Sequence, residues 1–122
     1  MCSVNESRKI RELIYTNEFK EYYHSLDERT KDKYGDCLTL LEEIRVLNTK
    51  FVKALVNTNE DLYELRVSVG FNEHRSILFS TDHDNIIQAT KIVILNGFLK
   101  KSSKDYNKQI KTAIRILNNL EL

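Results

Sequence analysis

The 122 residues suffice for one domain around one core and are too few for two full domains. Hydrophobic residues at 41% and charged residues at 30% exclude a disordered chain, and no apolar run approaches the ~20 residues that span a bilayer. The net charge of +1 hides an asymmetry: Lys100, Lys101, Lys104, Lys108, Lys111 and Arg115 stand against Asp105 alone, while acids outnumber bases between Asp27 and Arg45. Such a basic end is either a solvated helix face or a surface for a polyanion.

The first fifteen residues carry Arg8, Lys9, Arg11 and Glu12 without a long apolar stretch, so no secretory signal is expected and the cytoplasm is the expected address. A first strand reads from about Lys9 to Tyr15. Thr16 or Asn17 then caps a short helix in which Phe19, Tyr22, Tyr23 and Leu26 recur at helical spacing. A longer helix follows Asp27, with Tyr34, Cys37, Leu38, Leu41, Ile44 and Leu47 as its apolar stripe. Cys2 falls in a terminus expected to fray and Cys37 on that stripe, so neither a disulfide nor a catalytic thiol is expected.

From Leu62 the period changes to two. Tyr63, Leu65, Val67 and Val69 form one face of a strand, and Glu64, Arg66 and Ser68 form the other. Gly70 interrupts, and a second strand runs from about His74 to Ser80 with Arg75, Ile77 and Phe79 on one side. Thr81–Asn85 reads as a hairpin loop, and a third strand spans roughly Ile87–Asn96 around the apolar run Ile92–Leu95. Gly97 breaks it. The last helix starts near Asp105, with Tyr106, Ile110, Ala113, Ile114 and Leu117 as its stripe. The order strand, two helices, three antiparallel strands, helix predicts one α+β domain over residues 1–122, with the helices on one face of a twisted sheet.

Arg66 and Arg75 fall on neighbouring strands, where two guanidinium groups repel each other unless an anion, a carboxylate or solvent lies between them. The pair suits a bidentate grip on one phosphate. A salt bridge from either arginine to Glu64 or Glu73 is the competing reading. The segment Gly97–Lys101, followed by Lys104, joins a flexible glycine, an aromatic ring and clustered lysines; Phe98 is either a base-stacking surface or core. No phosphate loop, paired CxxC or HExxH motif occurs, so no metal or cofactor is expected. Of the three histidines, only His74 adjoins a candidate residue, and strand alternation aims it away from Arg75; Asp82 and Asp84 read as turn residues.

Leu62-Tyr63-Glu64-Leu65-Arg66, then Arg75 one hairpin later, then Leu95-Asn96-Gly97-Phe98-Leu99-Lys100-Lys101 resemble the HigB-like branch of the RelE toxin superfamily. Lys53, in Val52-Lys53-Ala54-Leu55, fits the segment that precedes the first of these motifs. The sequence departs from the pattern at Asn96, where a histidine is common, at His74, where an aromatic residue is usual, and after the lysines, where a proline is absent. The resemblance implies a RelE-like fold and a metal-independent endoribonuclease that cuts messenger RNA at the ribosome and is held by a helix-turn-helix antitoxin. On that basis Arg66, Arg75, Lys100 and Lys101 are expected at the scissile phosphate, and Lys53, Phe98 and Lys104 on the RNA. A gyrase-poisoning toxin of the same fold and an inactive antitoxin-binding relative are the alternatives.

Overall fold

The computed structural model describes residues 9–56, 58 and 60–120, so Cys2 and Arg8 lie outside it. Strand β1 (Glu12–Tyr15) leads into α1 (Asn17–His24), capped by Thr16. The Thr16 hydroxyl oxygen accepts from the Phe19 N–H at 3.1 Å and the hydroxyl donates to the Leu95 carbonyl at 2.7 Å, so the cap also ties α1 to the sheet. Asp27 caps α2 (Glu28–Glu43) by accepting from the Thr30 N–H at 2.8 Å. The expected stripe is buried from Tyr34 to Leu41, but α2 ends at Glu43 and leaves Ile44 exposed. The cause is Arg11, whose guanidinium takes the carbonyls of Leu41, Ile44 and Arg45 and stops the helix there.

Three strands then follow in sequence: β2 (Val52–Ala54), β3 (Leu62–Val69) and β4 (Asn72–Ser80). At three residues β2 is too short to leave a periodic signal in the sequence. Gly70, at φ 60°, makes the tight turn that brings Val69 opposite Asn72. The expected third strand, roughly Ile87–Asn96, is shorter than the pattern suggests, and a further short strand follows Gly97. Only Lys91–Ile94 forms β5, and Phe98–Leu99 forms a separate β6 on the same side of β4. Ile87 belongs to the preceding connection, where Ile86 and Ala89 are buried and Asp82 accepts from the Thr90 N–H at 3.0 Å.

Sheet order is β1-β5-β4-β3-β2, with β1 parallel to β5 and the remaining pairs antiparallel. The helices do not share a face. Leu65, Val67, Leu78, Ile92 and Ile94 pack beneath α1 and α2, whereas Leu62, Ile77 and Val93 pack against Ala113 and Ile116 of α3 (Ser103–Asn118). The physical reason is the run Ile92–Leu95: a strand apolar on both sides needs cover on both.

Between β5 and β6 the buried Asn96 replaces a missing ladder rung. Its Oδ1 accepts from the Ile77 N–H at 3.2 Å, and its Nδ2 donates to the Gln109 carbonyl of α3 at 3.2 Å. Gly97 is required by close approach, since a Cβ there would lie 2.3 Å from the Tyr22 ring. Gly97→Ala is therefore expected to cost about 1–3 kcal/mol through the displaced ring. Urea unfolding measures this, and an unchanged midpoint would show that Tyr22 yields freely.

Candidate active-site cleft

Strand alternation places Glu64 and Arg66 on the α3 side of the sheet, and the register sets Arg66 directly opposite Arg75 and Lys53 directly opposite Glu64. The two arginines are separated by a carboxylate from their own sheet. Glu64 Oε2 lies 2.7 Å from Arg66 Nε and 3.1 Å from Arg75 Nε, and Oε1 accepts from the Tyr106 hydroxyl. Arg75 also donates from Nη1 to Glu73 at 3.2 Å and to the His74 carbonyl at 3.0 Å. Both carboxylate pairings open to the sequence are thus present. Burial pushes the Glu64 carboxyl up, but the Tyr106 hydroxyl and the two arginines outweigh it and hold the carboxyl below its ordinary value of 4.5.

In front of this network lies a cleft of about 650 Å³ between β2, β3 and α3. Lys53, Arg66, Lys100 and Lys111 line it against the single carboxylate of Glu64. Lys100 stands over the Tyr106 ring, its Nζ 5.5 Å from the centroid, and its backbone N–H is anchored to the Glu73 carbonyl at 2.8 Å. Arg66 is partly exposed, with its Nε edge turned to Glu64. No described acceptor takes its two terminal amino groups, which are left to meet an anion.

Lys53, Arg66 and Lys100 therefore line one cleft, and the other residues singled out in the sequence lie elsewhere. Arg75 does not line the cleft; its side chain is 7% exposed and stands behind Arg66. Phe98 is 4% exposed and packs edge-on to Tyr106 at 6.0 Å, so its ring has no free face for a base and is core. Lys101 and Lys104 are exposed outside the cleft lining. The reason is that β6 turns Phe98 under α3 while only Lys100 remains at the rim. Lys111, which the sequence presents only as part of a basic end, and Tyr106, which it presents only as part of an apolar stripe, both line the cleft from α3 together with Asn107 and Ile114. The spacing of Tyr106, Ile110 and Ile114 marks the side of α3 that packs on the sheet but not the rim where Lys111 stands.

His74 points to the other face, as alternation requires. It is buried against Tyr22 and Tyr34, with Nδ1 2.6 Å from the Tyr22 hydroxyl. Burial pushes the imidazole below its ordinary 6.5; Asp27 and Glu73 oppose that shift and Arg75 adds to it. The folded state thus holds the neutral ring while the unfolded chain protonates more readily. This contribution to stability is fully present above pH ~6.5 and is lost as pH falls below it. Thermal midpoints measured between pH 7.5 and 5.5 are expected to fall more steeply for the native chain than for His74→Asn; equal slopes would exclude His74 as the source.

Among the described residues no group of three or more His, Cys, Asp or Glu side chains could hold a metal ion, and no helix is long and apolar enough to cross a membrane. A model of the family described as phage-derived protein Gp49-like matches residues 21–118. No curated protein matches the sequence. Among solved structures, the chain is similar to the E. coli toxin RelE, a double arginine-to-alanine mutant in the free state, with a TM-score of 0.59 and 11% identity. The alignment covers 84% of this chain and 96% of that one, so the fold is RelE-like.

Proposed function

From a chain that belongs to the Gp49-like phage-derived family, a family of RelE/ParE toxin type, we propose a HigB-like toxin of a type II toxin–antitoxin pair that cleaves messenger RNA without a metal. The observation that carries this reading is Arg66, held by one edge and open at the other, in a cleft lined with Lys53, Lys100 and Lys111. RNA supplies its own nucleophile, the 2′-hydroxyl. The protein has only to align it with the phosphate, move protons and neutralise the charge that builds on phosphorus. The 2′-hydroxyl gives up its proton to solvent as its oxygen forms the new P–O bond; the bond to the 5′-oxygen breaks and that oxygen takes up a proton, leaving a cyclic phosphate and a 5′-hydroxyl. In this scheme Arg66 grips the scissile phosphate. Lys53 and Lys111 hold the flanking backbone, and Lys100 is assigned proton transfer to the leaving oxygen. Arg75 acts from behind, through Glu64. Lys101 and Lys104 extend the positive field beyond the cleft toward a longer RNA or the ribosome.

A helix-turn-helix antitoxin is the proposed partner, and translated messenger on the ribosome, in the cytoplasm, the proposed target. Brief expression in a bacterium, with messenger 5′ ends mapped by primer extension, tests the reading. Growth arrest with fresh in-frame cuts is the expected result. Arrest without cuts would redirect the search to DNA gyrase, and no arrest from folded protein would identify an inactive partner-binding relative.

A further inference from the structure

Glu64 is a carboxylate in a cleft whose other charges attract an anion. On charge alone it weakens the binding of any polyanion, and as a residue 3% exposed it bears the cost of burial. Three groups converge on it: Arg66 Nε and the Tyr106 hydroxyl, which donate to it, and Arg75 Nε, which lies 3.1 Å away as an ion pair without a hydrogen bond. Each of these contacts constrains something at the rim. Arg66 is the long, partly exposed side chain of the cleft; gripped at Nε, its guanidinium plane can turn only with the carboxylate. Arg75 occupies the paired position on β4, and without an anion between them the two guanidinium groups would splay apart. Tyr106 carries Lys100 above its ring, and α3 carries Tyr106.

We propose that Glu64 is a positioning residue of the ribonuclease site, fixing Arg66 so that its terminal amino groups meet the phosphate and fixing Tyr106 so that Lys100 stays above the cleft. The proposal rests on the ribonuclease reading. It predicts an uncommon split. Removing a negative charge from an RNA-binding surface should preserve or tighten binding, yet the reaction should slow because its phosphate ligand is no longer held in place. A simple counter-ion would change affinity alone, and a purely structural residue would lower stability without separating binding from turnover.

The test compares native protein with Glu64→Gln, which keeps shape and loses charge. Binding of a fluorescein-labelled single-stranded RNA is followed by anisotropy, and single-turnover cleavage is followed on messenger bound to programmed ribosomes. Glu64→Gln is expected to bind RNA as tightly as native protein or a few-fold tighter, and to cleave roughly 10- to 100-fold more slowly. Cleavage at the native rate by folded Glu64→Gln would overturn the proposal while leaving the ribonuclease reading intact. If native protein itself fails to cleave, the ribonuclease reading falls and the proposal with it. Should Glu64→Gln not fold, Tyr106→Phe decides: it removes one hydroxyl and keeps the ring. Slower cleavage at unchanged RNA affinity supports the positioning role, and unchanged cleavage overturns it.

Discussion

Arg66→Ala is expected to slow messenger cleavage by about 10²–10³-fold, the usual loss when one preorganised donor to a developing anion is removed. The fold should survive. Arg66 is partly exposed, and Glu64 keeps both Arg75 and the Tyr106 hydroxyl when it is gone, so the buried carboxylate is not orphaned. The stability change should therefore stay within about 1 kcal/mol, the range of partly exposed ion pairs. Arg66→Lys is not expected to restore the rate. An ammonium cannot be held at one edge by Glu64 while presenting two parallel N–H groups to a phosphate. Arg75→Ala offers the contrast: its side chain is buried between Glu64 and Glu73, so its loss should lower stability as well as rate. Cleavage of ribosome-bound messenger, together with urea unfolding of each variant, separates these outcomes. Native cleavage by folded Arg66→Ala would remove Arg66 from the reaction.

Arg11→Ala is expected to produce the largest loss of stability, roughly 3–5 kcal/mol by comparison with other buried charged hydrogen-bonding groups. The residue is 1% exposed and donates to five backbone carbonyls: Leu41 at 2.9 Å, Ile44 at 2.5 Å, Arg45 at 2.7 Å, Ile86 at 3.1 Å and Ile87 at 3.2 Å. One of these carbonyls lies in the last turn of α2, two lie just past its end and two belong to the β4–β5 connection, so one guanidinium fastens two segments distant in sequence to the residue before β1. Its described acceptors include no carboxylate; the partial charges of carbonyl groups, those of a helix C-terminus among them, compensate the cation instead. Arg11→Lys has too few donors to satisfy all five, and Arg11→Met keeps the stem and leaves every carbonyl bare. Chemical denaturation measures the effect. A loss below about 1 kcal/mol would mean that water replaces the guanidinium at little cost, which the burial of the site argues against. RNA affinity offers an independent check, since Arg11 lies outside the cleft lining and should leave it unchanged in folded protein.

Local order was legible wherever it is governed by neighbours in the chain. The caps Thr16 and Asp27 mark their helices because a side-chain oxygen three residues upstream satisfies an N–H that the helix leaves open. The alternation from Leu62 to Val69 set β3 to its bounds and assigned Arg66 to the face opposite the apolar row. The motifs around Arg66, Arg75 and Lys100 led to the RelE-like fold, and alternation alone sent His74 away from Arg75.

What the tertiary structure decided was which of these residues share space. Lys53, Lys100 and Lys111 meet because β2 pairs with β3, β6 pairs with β4 and α3 crosses the same face, and no local period encodes those pairings. An apolar stripe shows that α3 packs on a sheet and leaves open which side; the doubly apolar β5 made both sides available, and the far one buried Phe98. Arg75 and Arg66 look equivalent as letters on neighbouring strands. Burial distinguishes them, because one guanidinium sits under α3 beside Glu64 and Glu73 while the other reaches the rim. Arg11 is the extreme case. Its meaning lies in five carbonyls at 30 to 76 residues' separation, so sequence places it only as one more charge near the start of the chain, and the fold makes it a central fastening.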